Sequence, residues 1–98
     1  MKNKIVEIIS RAIEDLNEEI EYDHLRSIKM ETPLFGGEES IDSISLARLI
    51  TEIELRIDEE FNQKVILADE KAMSMKNSPY RNVESLANFV ENKLKGSR

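Results

Sequence analysis

Apolar residues recur at steps of three and four in three separate stretches, and between the first two lies a tract where the rhythm fails. Ile5, Ile8, Ile9, Ala12, Ile13, Leu16 and Ile20 fill one arc of a helical wheel. Leu46, Leu49, Ile50, Ile53, Ile57 and Phe61 make a second stripe, and Val83, Leu86, Ala87, Val90 and Leu94 a third. The spacing predicts a first helix over residues 3 to about 18 and a second opening at Asp42 or Ser43 and ending near Asn62. A last helix is predicted over about Val83 to Lys95, with Lys93 and Lys95 favourably placed in its final turn and Gly96 as a suitable stop. Between about 21 and 41, Thr32-Pro33 and Gly36-Gly37 break the pattern. A long ordered loop pinned by Leu34 and Phe35 is expected there, with room for a helical turn near Tyr22 to Ile28. Loops of that length tend to be functional in small domains. Lys64-Val65-Ile66-Leu67 reads as a compact connector, Asp69 to Met73 as a short helix capped by Asp69, and Asn77-Ser78-Pro79 as a further break. The sum is an all-α chain: a small bundle of three main helices plus a short one.

With 98 residues, positions 1–98 form a single domain. A content of 40% hydrophobic and 35% charged residues suits one modest core under a charged surface, and no run approaches the ~18 apolar residues of a membrane span. The opening Met1-Lys2-Asn3-Lys4 is basic, but Glu7 interrupts the apolar stretch a signal peptide needs. The expectation is a cytoplasmic monomer with no membrane insertion. No cysteine is present, which excludes disulfides, thiolate metal sites and a cysteine nucleophile together. A single histidine cannot build a His-rich zinc site. The net charge of −6 argues against a nucleic-acid partner. All of that excess falls between residues 38 and 60, where eight carboxylates face only Arg48 and Arg56. Such a field steers basic partners, although most charge runs are simply solvated faces.

Conventional catalytic sets are absent, so no enzyme activity and no resident metal are expected. His24 stands in the irregular tract with nothing beside it to mark a general base, and reads as an exposed or satisfied residue. Glu38-Glu39 and Asp58-Glu59-Glu60 lack calcium-loop spacing. Gly36-Gly37 lacks the lysine and the strand–loop–helix frame of a phosphate-binding loop. One tract stands apart, running from Leu34-Phe35-Gly36-Gly37 through Asp42-Ser43-Ile44 to Leu46. It sets Asp42-Ser43 immediately before an amphipathic helix. Capping alone accounts for such a pair, because Asp and Ser are favoured N-caps.

The tract and its surroundings resemble the acyl carrier protein family. That family has a long first helix, a long loop and an Asp-Ser-Leu motif opening an acidic second helix, followed by a short third helix and a final one. Here the motif is Asp42-Ser43-Ile44, with Ile in place of Leu. The Leu34-Phe35 loop anchor and the Val83-Glu84-Ser85-Leu86 opening of the last helix are similar too. The likeness covers roughly residues 4 to 94, and the place of the motif within the whole helix plan carries it.

The resemblance implies a non-catalytic carrier in an acyl-carrier-like bundle. Ser43 would bear a 4′-phosphopantetheine arm, attached from coenzyme A by a phosphopantetheinyl transferase, and Asp42 would support the motif. The arm would hold an acyl cargo as a thioester for acyl-transferring and synthase enzymes of fatty-acid, lipid or polyketide-type biosynthesis. Alternatives are an aminoacyl or D-alanyl carrier, and an unmodified helical adaptor. Ser40, after Gly36-Gly37-Glu38-Glu39, is a decoy of the peptidyl-carrier kind, but its register against the apolar stripe is poorer than that of Ser43. Three departures leave the cognate enzymes open. Phe61 closes the second helix one turn later than the family's aromatic residue, with Ile57 in the usual place. Arg48 stands where an acidic partner contact is common, and the region from Ala68 to Ser74 is longer than in a minimal carrier.

Steps of ~100° along the second helix place Ile44, Arg48, Thr51 and Leu55 opposite the buried stripe, flanked by Glu52, Glu54 and Glu59. An apolar centre with a charged rim suits a docking strip. On that reading Arg48 meets an acidic group on the partner. A cargo cleft is expected between the second helix and the segment from Val65 to Met75, with Met73 and Met75 as adaptable lining.

Overall fold

The computed structural model describes residues 2–37, 39–68 and 78–96. Helix α1 spans Lys2–Ile20, α2 Ser43–Phe61 and α3 Val83–Gly96, with one 3-10 turn at Asp23–Leu25. Among the described residues there is no strand, only an isolated bridge between Pro33 and Asn82. The chain is all-α. The short helix expected at Asp69 to Met73, and the cleft expected beside Met73 and Met75, lie outside the described residues.

Each helix buries the stripe its sequence advertises. Ile5, Ile9 and Ile13 of α1, Leu46, Ile53 and Ile57 of α2, and Val83, Leu86 and Val90 of α3 are fully enclosed. A side chain of this size contributes about 1.5–3 kcal/mol when taken out of water, so packing rather than helix propensity holds the elements. Helix α1 lies against both α2 and α3. Two stripe residues at helix ends, Ile20 and Phe61, are only partly covered.

Both long helices stop without glycine. Glu21 takes a left-handed φ of 54° after α1, and Asn17 compensates: its Oδ1 accepts from Tyr22 N at 2.7 Å and its Nδ2 donates to Tyr22 O at 3.1 Å. After α2, Asn62 adopts φ 52°, a conformation asparagine tolerates better than most residues. Gln63 then donates to Leu94 O at 2.9 Å and ties this turn to the end of α3.

The tract between α1 and α2 is ordered by long-range bonds. Leu25, Leu34 and Ile41 drop into the core, while Leu34 N and Phe35 N donate to Arg81 O and Tyr80 O at 2.9 and 3.1 Å. In return, Thr32 O and Met30 O accept from Val83 N and Glu84 N, so the loop satisfies two N–H groups that the first turn of α3 would otherwise leave open. The connector after α2 alternates, with Val65 and Leu67 buried and Ile66 73% exposed. Leu67 N donates to Glu54 Oε2 at 2.7 Å, and its carbonyl accepts the hydroxyl of Tyr80. Tyr80 is fully enclosed and meets Phe89 edge-on.

Candidate functional site

Asp42 is the N-cap of α2, with extended backbone and a side chain turned back onto the helix. Its Oδ1 accepts from Ser45 N at 2.7 Å, and its Oδ2 accepts from Ser45 Oγ at 3.1 Å and Tyr22 Oη at 3.4 Å. The Ser45 amide above all, helped by the Ser45 and Tyr22 hydroxyls and the Ile44 amide, holds the Asp42 carboxyl below the usual aspartate range against the opposing effect of burial. Asp42 is therefore ionised and engaged at both oxygens near neutral pH.

Ser43 follows as the first residue of α2 and is exposed. Its hydroxyl has no hydrogen-bond partner among the described residues. No loop carbonyl covers its N–H either, in contrast to Val83 and Glu84 of α3. Capping explains Asp42, and Ser43 is left over. Ser40 is spent internally: its hydroxyl accepts from Gly36 N at 2.9 Å and donates to Ile41 O at 2.8 Å. Gly36 makes that turn with φ +83°, a conformation that favours glycine.

The surface strip divides in two. Ile44 is 75% and Leu55 55% exposed, and Thr51 between them is exposed with its hydroxyl bonded back to Ala47 O. Arg48 and Glu52 lie toward α1. Arg48 is paired with Glu19 of α1. Glu52 holds Arg56 at 2.7 Å, and Arg56 also reaches Asp15 of α1. Those two carboxylates, Glu52 first, hold the Arg56 guanidinium even more firmly in its charged form. Arg48, expected to meet an acidic group on a partner, already has a carboxylate of α1 beside it, in a pair that is exposed on both sides. Of the expected rim, Glu54 is committed to Leu67 N, whereas Glu59 stands exposed.

Sequence reasoning overlooked the parts that Ser45 and Tyr22 play around Asp42. The Asp42-x-x-Ser45 spacing is a capping signal that could have revealed the first. Tyr22 reaches Asp42 across twenty residues of chain, and no local pattern announces that. His24 is nearly covered, with Nε2 3.1 Å from Pro33 O and Nδ1 3.9 Å from Glu39 Oε2. Among the described residues no cluster of His, Asp or Glu could hold a metal ion, and no helix is long and apolar enough to cross a membrane. Comparison with known proteins finds no matching family model, no matching curated protein and no matching solved structure.

Proposed function

We propose that the chain is an acyl carrier whose Ser43 hydroxyl receives a 4′-phosphopantetheine arm. The observation that carries this reading is the unengaged, exposed Ser43 hydroxyl at the first position of a nineteen-residue helix. An anionic phosphodiester is favoured there, because the helix N-terminus presents the positive end of its dipole. The donor set fits the group: one hydroxyl for the ester bond, and a Ser43 N–H that no loop carbonyl covers. In loading, Ser43 Oγ bonds to the pantetheine-side phosphorus of coenzyme A, the pyrophosphate bond breaks, and adenosine 3′,5′-bisphosphate leaves. The hydroxyl proton passes to a base of the transferase, since the nearby Asp42 carboxylate is occupied by Ser45 and Tyr22. The arm supplies the thiol that this cysteine-free chain lacks, and the thiol carries acyl groups as thioesters.

Asp42 fixes the backbone from which Ser43 projects. Ile44, Thr51 and Leu55 offer the apolar centre of a contact surface for the transferase and acyl-handling enzymes, with Glu59 on its rim. Arg48 and Glu52 join such a contact only by exchanging their partners on α1 and α2. Incubation with coenzyme A, magnesium and a broad-specificity phosphopantetheinyl transferase, read by intact mass, tests the proposal. A gain of one phosphopantetheine is expected. An unchanged mass under conditions that load a control carrier would overturn it.

A further inference from the structure

Both basic residues of the acidic stretch from 38 to 60 are answered by carboxylates of α1. Arg48 meets Glu19, and Arg56 meets Asp15 together with Glu52 of its own helix. Lys4 and Glu60, 3.5 Å apart, continue the same seam toward the start of α1. The Arg48–Glu19 pair is exposed on both sides, and such pairs add little to stability. Its consequence lies in the field that the surface projects.

Arg48 stands one turn from Ile44 and two turns from Leu55, a rise of about 6 and 10 Å. Those distances are comparable to the screening length of about 8 Å at physiological salt. An unanswered guanidinium there would spread positive potential over the apolar centre formed by Ile44, Thr51 and Leu55. Glu19 removes it, because two opposite charges in contact cancel at distances beyond their own separation. Arg56, one guanidinium against two carboxylates, leaves a surplus of negative charge, and Glu59 on the rim adds to it. The face therefore reads as apolar at its centre and acidic throughout its border, although the sequence sets a cation within it.

We propose that Glu19 is a specificity-determining residue of this face: by cancelling Arg48 it fits the face to a transferase whose docking surface sets cations around an apolar centre. The proposal rests on the α2 strip being the transferase's contact, and it adds α1 to that contact. A chain with Asp42-Ser43 and the same strip but no acid at position 19 would be disfavoured by such a partner.

Relaxation of α2 amide protons by a cationic and by an anionic nitroxide reads the local potential without any transferase. In the wild type the cationic probe should be enriched from Ile44 to Leu55. Glu19→Gln should lower that enrichment about two- to fourfold around Arg48. Glu18→Gln removes the same charge from an exposed residue that borders a different hollow, beside Leu25 and Arg26, and should leave it nearly unchanged. Loading kinetics give the second readout. Glu19→Gln should raise the KM for the carrier about two- to fourfold at low salt, with kcat unchanged and the difference lost near 1 M salt. Adding Arg48→Gln to Glu19→Gln should restore the wild-type KM. Equal behaviour of Glu19→Gln and Glu18→Gln in either readout, or a raised KM that persists in the double variant, overturns the proposal. Absence of loading in every protein, wild type included, overturns the carrier reading, while the nitroxides still decide whether Glu19 cancels Arg48.

Discussion

Helices α2 and α3 begin with the same local chemistry and put it to different ends. Asp42 and Asn82 each accept a hydrogen bond from the amide three residues on, Ser45 N at 2.7 Å and Ser85 N at 2.8 Å. In both, that third residue is a serine whose hydroxyl turns back toward the cap. The residues between differ. Val83 and Glu84 have their N–H groups bonded by the loop, and Val83 is fully buried. Ser43 and Ile44 occupy the equivalent places in the open, one with a free hydroxyl and the other 75% exposed. Starting a helix requires the cap and the third serine. It does not require a bare serine and an exposed isoleucine, and this remainder is what supports the proposed site at the start of α2.

The contrast predicts unequal costs at the first helical position. Val83→Ala should destabilise by about 2 kcal/mol, from two lost methyl groups and the cavity they leave. Ser43→Ala should cost less than ~0.5 kcal/mol, as for other surface changes that break no contact. Urea unfolding of both variants measures the difference, and equal losses would erase the distinction between the two helix starts.

The caps themselves should separate by pH. Asn82→Ala is expected to cost about 1 kcal/mol at any pH, since an amide cap does not titrate. The folded state holds the Asp42 carboxyl below its unfolded value, so its stabilisation is complete above the ordinary aspartate range. It fades as pH falls through the lowered folded value. Thermal melts from neutral to strongly acid pH should therefore show Asp42→Ala converging on wild type in acid, while Asn82→Ala keeps its deficit.

Much of this architecture is legible in the spacing of apolar residues, and much of the rest depends on contacts across the chain. The three buried stripes and the start of α2 follow from local rules of helix periodicity and capping. The enclosed hydroxyl of Tyr80, and the loop carbonyls that close the first turn of α3, join residues remote in sequence. Arg48 shows the limit most clearly. The wheel places it on the outer side of α2, yet its partner Glu19 belongs to another helix, which a one-helix projection cannot contain. Ser43 has the better register against the apolar stripe, but the hydrogen bonding of Ser40 and Ser43 is not legible in sequence. Only the fold shows that one hydroxyl is consumed by its own turn and the other is not.

The smallest expected effect comes from that seam between α1 and α2. Arg48→Gln should change stability by no more than ~0.5 kcal/mol, because both partners are largely exposed, and the change should shrink in high salt. Melting temperatures in low and high salt measure it. A large, salt-insensitive loss would mean that Arg48 does more than pair with Glu19.

The site assignment is tested most directly by locating the added arm. Wild type, Ser40→Ala and Ser43→Ala are each loaded with coenzyme A and a transferase, and their intact and peptide masses are compared. Wild type and Ser40→Ala should gain one phosphopantetheine on the peptide containing Ser43, while Ser43→Ala folds and gains nothing. Loading that persists in Ser43→Ala, or disappears in Ser40→Ala while that variant remains folded, would contradict the assignment.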